Sequence, residues 1–130
     1  MQNIGKIDIN KLGKYRDKLV TDDVVLTNER KEHTEKRHPG ICDKYLKYIP
    51  DILKNPDYIL DDKDYENTIL ILKNIVEHNK KIQIVVKLHT NERDNNKCNS
   101  ILTFWNIRNR SYRSTINNNE IIYNAFDKNV

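Results

Sequence analysis

Small, flexible and cross-linking residues are scarce in this 130-residue chain, which has one alanine, two cysteines, three glycines, three prolines and one tryptophan. Two cysteines, Cys42 and Cys98, make no disulfide framework, and their plain reading is a pair of free thiols in a reducing, cytoplasmic setting. No run of about 18 apolar residues exists, so no helix of this sequence can span a bilayer. Met1 to Asn10 lacks the apolar stretch of a signal peptide. No Ser/Gly/Pro-rich linker and no internal repeat divides the chain. The expectation is one domain over 1–130, with an N-terminal approach segment over 1–22 and a core over 23–124. Asn, Ile and Lys are abundant instead (18, 17 and 16 residues), a bias expected of an AT-rich genome, so the asparagines carry no chemical signal of their own.

With 37% hydrophobic and 32% charged residues the chain is polar, yet its aliphatic residues fall in dense runs that support a modest core. The net charge of +4 is unevenly placed. Residues 1–65 carry 13 basic and 13 acidic side chains, whereas 66–130 carry 10 and 6. Between Asn95 and Asn119 there is no acid, but there are Lys97, Arg108, Arg110 and Arg113. A local basic stretch points to an anionic partner such as a nucleic acid or a phosphorylated ligand.

The N-terminal segment, with Gly5 and Gly13, reads as an opening strand and a loose polar approach. Val24-Val25-Leu26 is a short strand, after which Thr27 or Asn28 can cap a helix and Glu29 favours its positive end. Pro39-Gly40 stops that helix, and a second runs from Cys42 to Leu53, with Tyr45, Ile49 and Leu53 on one stripe. The period then becomes extended. Strands are expected at Tyr58–Leu60 and Thr68–Glu77, then from Ile82 to His89, where Ile82, Ile84, Val86 and Leu88 face oppositely to Gln83, Val85, Lys87 and His89. A loop over Asn91–Lys97, a strand over Cys98–Arg108, a basic connection over Asn109–Asn119 and a short strand at Ile121–Tyr123 complete the chain. Helices first and an antiparallel meander after them imply an α+β layout, with the helices on one face of the sheet.

Asn28 to His38 has good helix formers and a cap but no large apolar residue. Arg30, His33 and Arg37 share one of its faces, and His38 precedes the terminating proline. One reading is a solvated helix with incidental histidines. The other is a cationic wall with a titratable imidazole beside a phosphate-binding cleft, because histidine exchanges protons near neutral pH and arginine grips phosphate through paired donors. Zinc would have His33, His38, His78, His89, Cys42 and Cys98 to choose from, but the spacing provides no CxxC pair and no HExxH. Lys87 and His89 either form a simply polar face or place positive charge over a cleft. Trp105 either packs in the core or stacks under a base. Arg108, Arg110, Tyr112 and Arg113 interleave cations with an aromatic, as single-strand grooves do and as solvated basic loops also do.

His33-x-x-x-Arg37-His38-Pro39 after a short strand, Tyr48-Ile49-Pro50-Asp51-Ile52-Leu53-x-Asn55-Pro56-Asp57-Tyr58-Ile59, Val85-Val86-Lys87-Leu88, and Asn99-Ser100-Ile101-Leu102-Thr103-Phe104-Trp105 together resemble the phage-associated branch of the barnase, EndoU, colicin E5/D and RelE-like nucleases. The resemblance runs from Val24 to Tyr123. It implies helices packed on a four- or five-stranded antiparallel sheet and metal-independent RNA cleavage with no cofactor. It also implies a site that draws His33 with Arg37 and His38 from the first helix, Lys87 from a central strand, and Ser100 and Thr103 from the next. In related chains an aliphatic residue usually follows the first histidine, where this chain has Thr34. Ser100 and Thr103 are an odd number apart, so a regular strand turns them to opposite faces unless a bulge intervenes.

On that reading RNA is cut through its own 2′-OH to a 2′,3′-cyclic phosphate. His33 or His38 exchanges the proton, and Arg37 and Lys87 stabilise the phosphorane. Thr103 bonds a phosphate oxygen, while Arg30, His89, Lys97, Trp105, Arg108, Arg110, Tyr112 and Arg113 contact the strand. The expected partners are an RNA, tRNA among the candidates, and an acidic immunity or antitoxin protein. The chain is expected to be monomeric when free and phage- or mobile-element-encoded. The competing readings are a non-catalytic RNA-binding module and a phage accessory domain that docks protein.

Overall fold

The fold is that of a computed structural model, which describes residues 2–90 and 98–127. Along the chain run β1 (Gln2–Lys6), β2 (Asp23–Leu26), α1 (Asn28–Arg37), α2 (Ile41–Tyr45), α3 (Ile49–Lys54), β3 (Tyr58–Asp61), β4 (Thr68–Ile75), β5 (Lys80–Lys87), β6 (Asn99–Ile107), α4 (Asn109–Asn118) and β7 (Glu120–Asn124). The strands form one sheet in the order β1-β2-β6-β5-β4-β3-β7. Neighbours are antiparallel except for β2 and β6, which run parallel.

The α+β class follows the sequence pattern, but the four or five antiparallel strands become seven in a mixed sheet. β2 joins β6 and β7 joins β3, pairings between segments far apart in sequence that local periodicity cannot register. Helices also cover both faces. On the first face α2 and α3 bury Ile41, Cys42, Tyr45, Ile49, Ile52 and Leu53 with Ile69, Ile71, Ile82, Ile84, Val86 and Phe104. On the second, Leu60, Leu70, Leu72 and Ile107 meet Tyr112 and Ile116 of α4. This explains why β4 is nearly all apolar: a strand buried on both sides has no polar face to show.

Three local expectations change. The basic connection after Arg108 is the helix α4, which has no side-chain cap but is held by Tyr112 and Ile116, four apart, on the second core. The helix expected over Cys42–Leu53 is broken into α2, a 3-10 turn at Leu46–Tyr48 and α3, whose first turn holds Pro50, where its missing N–H is harmless. The opening strand is present, and the segment behind it buries Ile7, Leu12 and Tyr15 in the first core.

The junction of β2 with β6 is pinned by Asn99, which has no exposed surface. Its Oδ1 accepts from the His89 amide at 2.9 Å, and its Nδ2 donates to the carbonyls of Thr21 at 2.8 Å and Asp23 at 3.0 Å. Asn99→Ala strands one amide and two carbonyls, each costing about 1–3 kcal/mol where water cannot replace the partner. Urea denaturation should show a loss of about 2–4 kcal/mol, against less than about 0.5 kcal/mol for Asn106→Ala on the same strand. Equal losses would refute the role given to Asn99.

Tyr15 and Tyr112 make the stability of the fold depend on pH at the alkaline end. Burial pushes both phenols up to about 12, helped at Tyr15 by its 2.6 Å hydrogen bond to Asp61 and at Tyr112 by the charge of Asp57. Each binds its proton more tightly folded than unfolded. Their stabilisation is therefore fully present below the ordinary tyrosine value of 10.0 and is lost as pH rises to about 12. Tyrosinate absorbance should show Tyr15 and Tyr112 ionising late, identified by Tyr15→Phe and Tyr112→Phe, with stability falling in the same window. No loss of late-ionising absorbance in either variant is the contrary result.

Candidate active site

The strand β6 carries one irregularity. Ser100 pairs with Lys87, Ile101 with Val86, and then Thr103 with Val85, so Leu102 is an extra residue and the register shifts. Directly paired residues share a face, and Lys87, Val85 and Gln83 alternate onto the same one. The bulge therefore turns Ser100, Thr103 and Trp105 all toward the second face of the sheet, beside Lys87. That strip runs about 13 Å from Trp105, opposite Gln83, to Lys87, four residues at about 3.3 Å each.

The pairing of β2 with β6 spans only Val24–Asn99 and Val25–Ser100. Beyond it the chain leaves as α1, capped by Thr27, whose side chain accepts from the Arg30 amide at 3.2 Å, and α1 packs against β6. Thr34, fully buried, donates from Oγ1 to the Thr103 Oγ1 at 3.2 Å. A hydroxyl pair in place of an aliphatic contact explains why this helix has no apolar stripe. At its end His38 stacks on Trp105, with centroids 5.7 Å apart and planes 11° from parallel.

Glu35 sets the other side of α1. Its carboxylate accepts from the amides of Gly40 and, at 3.3 Å, Cys42, which fastens the His38-Pro39-Gly40 turn to the start of α2. These bonds, the one from Gly40 first, hold the Glu35 carboxyl below its ordinary value. At 100° per residue, Arg30, His33 and Arg37 lie on the opposite flank of Thr34 from Glu35. Glu35 and α2 belong to the first face, so the two arginines and His33 flank the second, where Thr103 and Trp105 lie. All three are exposed.

The remaining expected residues separate. Lys87 is exposed and donates from Nζ to the Glu66 carbonyl at 2.9 Å. Arg108, Arg110 and Arg113 are exposed at the start of α4 and along it, while Tyr112 packs inward against Tyr58, with centroids 6.1 Å apart. The expected continuation of the fifth strand through His89 is corrected. β5 ends at Lys87, and His89 is 5% exposed, its amide held by Asn99, so its imidazole is not presented to a strand on the surface. Lys97 lies outside the described residues. His78 is at the β4–β5 hairpin, with Nε2 2.7 Å from the Tyr48 hydroxyl. Among the described residues no group of three or more His, Cys, Asp and Glu side chains is gathered to hold a metal ion.

Among the described residues every ion pair uses a lysine, so Arg30, Arg37, Arg108, Arg110 and Arg113 are engaged by no carboxylate. On α1 itself, unpaired Arg30 and Arg37 on the helix that also presents the half-buried His38 to Trp105 suit a phosphodiester strand. Sequence reasoning gave no role to Glu35 or Asn99. Thr34 alone gave a signal, as a polar residue where relatives have an aliphatic one.

The single tryptophan reports on this geometry. Fluorescence of Trp105 should change in intensity when His38→Ala removes the ring stacked on it. Glu35→Ala should shift its emission to the red by freeing the turn that carries His38. The Glu35 carboxyl binds its proton less tightly folded than unfolded. Its clamp is therefore present above the ordinary carboxylate range and is lost as pH falls through the lowered folded value. Unchanged fluorescence in both variants would remove the clamp and the stack together.

A family model described as phage-Barnase-EndoU-ColicinE5/D-RelE like nuclease3 matches residues 2–113. No curated protein and no solved structure matches the chain. The matched span runs from β1 into α4 and includes every residue placed on the strip, and with it the chain belongs to the phage-Barnase-EndoU-ColicinE5/D-RelE like nuclease3 family.

Proposed function

We propose that this nuclease-family chain is a metal-independent endoribonuclease that cuts RNA through the 2′-OH. The observation that carries the reading is the His38–Trp105 stack beside the Thr34–Thr103 pair, on a sheet face rimmed by unpaired arginines. An imidazole fixed by stacking can take the 2′-OH proton as the 2′-oxygen attacks phosphorus. The P–O5′ bond then breaks, and the 5′-oxygen leaves with a proton from an imidazolium. The products are a 2′,3′-cyclic phosphate and a 5′-hydroxyl end. His38 is the principal proton-exchanging group, and His33, on the same helix, is the second imidazole. Arg37 answers the charge gathering on phosphorus, and Thr103 bonds a non-bridging oxygen. Lys87 and Ser100, at the far end of the strip, hold the strand, and Trp105 offers a ring face to a base. Arg30, Arg108, Arg110 and Arg113 bind flanking phosphates.

The substrate is a single-stranded or looped RNA, with tRNA among the candidates. The arginine rim is also the surface an acidic inhibitor protein would cover to restrain the enzyme.

Incubation with total RNA in EDTA, followed by mapping of cyclic-phosphate ends, tests the reading. His38→Ala should lower the cleavage rate roughly 100- to 10,000-fold. Arg37→Ala should cost about 10- to 100-fold, and His33→Ala an intermediate amount. Full cleavage by both histidine variants, or no cleavage in EDTA by the folded parent, would falsify the proposal. Salt-sensitive RNA binding with no cut ends would identify a binding module instead.

A further inference from the structure

A concavity lies at the C-terminal end of α1. It has a volume of about 390 Å³, and its walls include Arg37, His38, Lys44, Tyr45, Lys80 and Asn106. That volume lies in the range of small-ligand sites.

Its charges say what it takes. Arg37, Lys44 and Lys80 bring three positive charges to one space, and no carboxylate lines it. Two other concavities are mixed in sign. The one at the β4–β5 hairpin is bordered by Asp51, Asp57 and Glu77, and the one beside Glu35 by Glu32 and Asp43. Among the described residues, none of the three cations at the end of α1 joins an ion pair or a side-chain hydrogen bond. All three are exposed. A hollow lined by one sign of charge concentrates the field within it, and an anion relieves the repulsion among its walls.

The position of the concavity indicates which anion. Asn106 pairs with Ile82, which is buried in the first core, and Lys80 lies two residues before Ile82, so both belong to the first face. As diagonal neighbours they stand about 7–8 Å apart between backbones, close enough for a long ammonium arm and an amide to reach one phosphate. Trp105 belongs to the second face. His38 meets both sides, since it lines the concavity while its ring stacks on Trp105. It reaches both because α1 packs along β6 beyond the point where β2 stops pairing. A strand lying on the Ser100–Trp105 strip therefore enters the concavity by rounding the sheet edge at His38, and its backbone brings a negative charge with every nucleotide.

We propose that this concavity is a second phosphate subsite, which holds the phosphodiester next to the one being cut. Lys44 and Lys80 supply its charge, Asn106 supplies an amide donor, and Arg37 and His38 form the wall it shares with the cleft. That the site takes phosphate stands on its own charges. That the phosphate belongs to a strand under cleavage rests on the ribonuclease reading.

The test has a binding arm and a cleavage arm, both on the full chain. In the first, the ¹⁵N-labelled protein is titrated at constant ionic strength with inorganic phosphate, with hexaglutamate, and with a short 2′-O-methyl oligoribonucleotide that cannot be cut through the 2′-oxygen. Phosphate should shift the resonances of residues 37–45, Lys80 and Asn106, and bind more tightly than hexaglutamate. Lys44→Gln with Lys80→Gln, both at exposed positions, should weaken phosphate at least tenfold. The same double variant should lower the slope of log affinity against log salt for the oligonucleotide by about 0.7, the contribution of one phosphate contact on a single strand. No shift of these residues by phosphate, or tighter binding of hexaglutamate, would overturn the phosphate assignment, the latter in favour of an acidic protein. An unchanged salt slope would overturn the contact with a strand.

In the second arm the parent and the double variant cut an RNA dinucleotide whose only phosphate is the scissile one, and the same dinucleotide with an extra phosphate at its 5′ or its 3′ end. One of the extra phosphates should raise kcat/KM at least tenfold in the parent and less than about twofold in the variant, with the plain dinucleotide cut equally by both. Equal cleavage of all three substrates by the parent would remove the subsite from the reaction. A folded chain that binds phosphate here but cuts no RNA would sink the ribonuclease reading and leave the phosphate site standing.

Discussion

The arrangement of this molecule hangs on a parallel pairing only two residues long, Val24 with Asn99 and Val25 with Ser100. So brief a ladder contributes little by itself, and the buried Asn99 amide reinforces it with three hydrogen bonds to chain segments on either side. The brevity has a structural consequence. Where the pairing stops, β6 continues, and α1 packs along it instead of a further strand. A helix beside a strand brings one row of side chains into contact, and here that row holds Thr34 and ends at His38.

From that placement the character of the site follows. The flank of α1 that carries Glu35 is drawn to the first face by the amides of Gly40 and Cys42, which turns Arg30, His33 and Arg37 to the second. On that face α4 covers the sheet near Leu60, Leu72 and Ile107 but leaves the strip of Ser100, Thr103 and Trp105 partly open. Among the described residues the ion pairs use Lys6, Lys11, Lys14 and Lys73, and none uses an arginine. Guanidinium groups suit that arrangement, since they keep their charge at any physiological pH and bind phosphate oxygens two at a time.

Much of this was readable from local pattern. The β5 alternation, the Thr27 cap, the Pro39-Gly40 stop and the pairing of histidine with arginine on one helix all arise from interactions within a few residues. Other features were not readable, for identifiable reasons. α4 is rich in Asn, Ser and Thr, weak helix formers, and is held by contacts of Tyr112 and Ile116 with strands as distant in sequence as Leu60. Whether Ser100 and Thr103 share a face depends on the bulge at Leu102, which is a property of the register with β5 and not of β6 alone. His89 continues the alternation of its strand in sequence, but Asn99 takes its amide and the segment turns into the interior.

Composition and period therefore determined, without help, the α+β class, the apolar runs of the core, the polar first helix and the residue types able to handle phosphate and protons. Those properties are set by short-range propensity and by which side chains can be buried. The tertiary structure alone decided that helices cover both faces, that a bulge at Leu102 turns Ser100 and Thr103 to one face, and that His38 rather than His33 meets Trp105. Each of these depends on pairings between distant segments, whose free energy is shared across the sheet and leaves no trace in any single stretch of the chain.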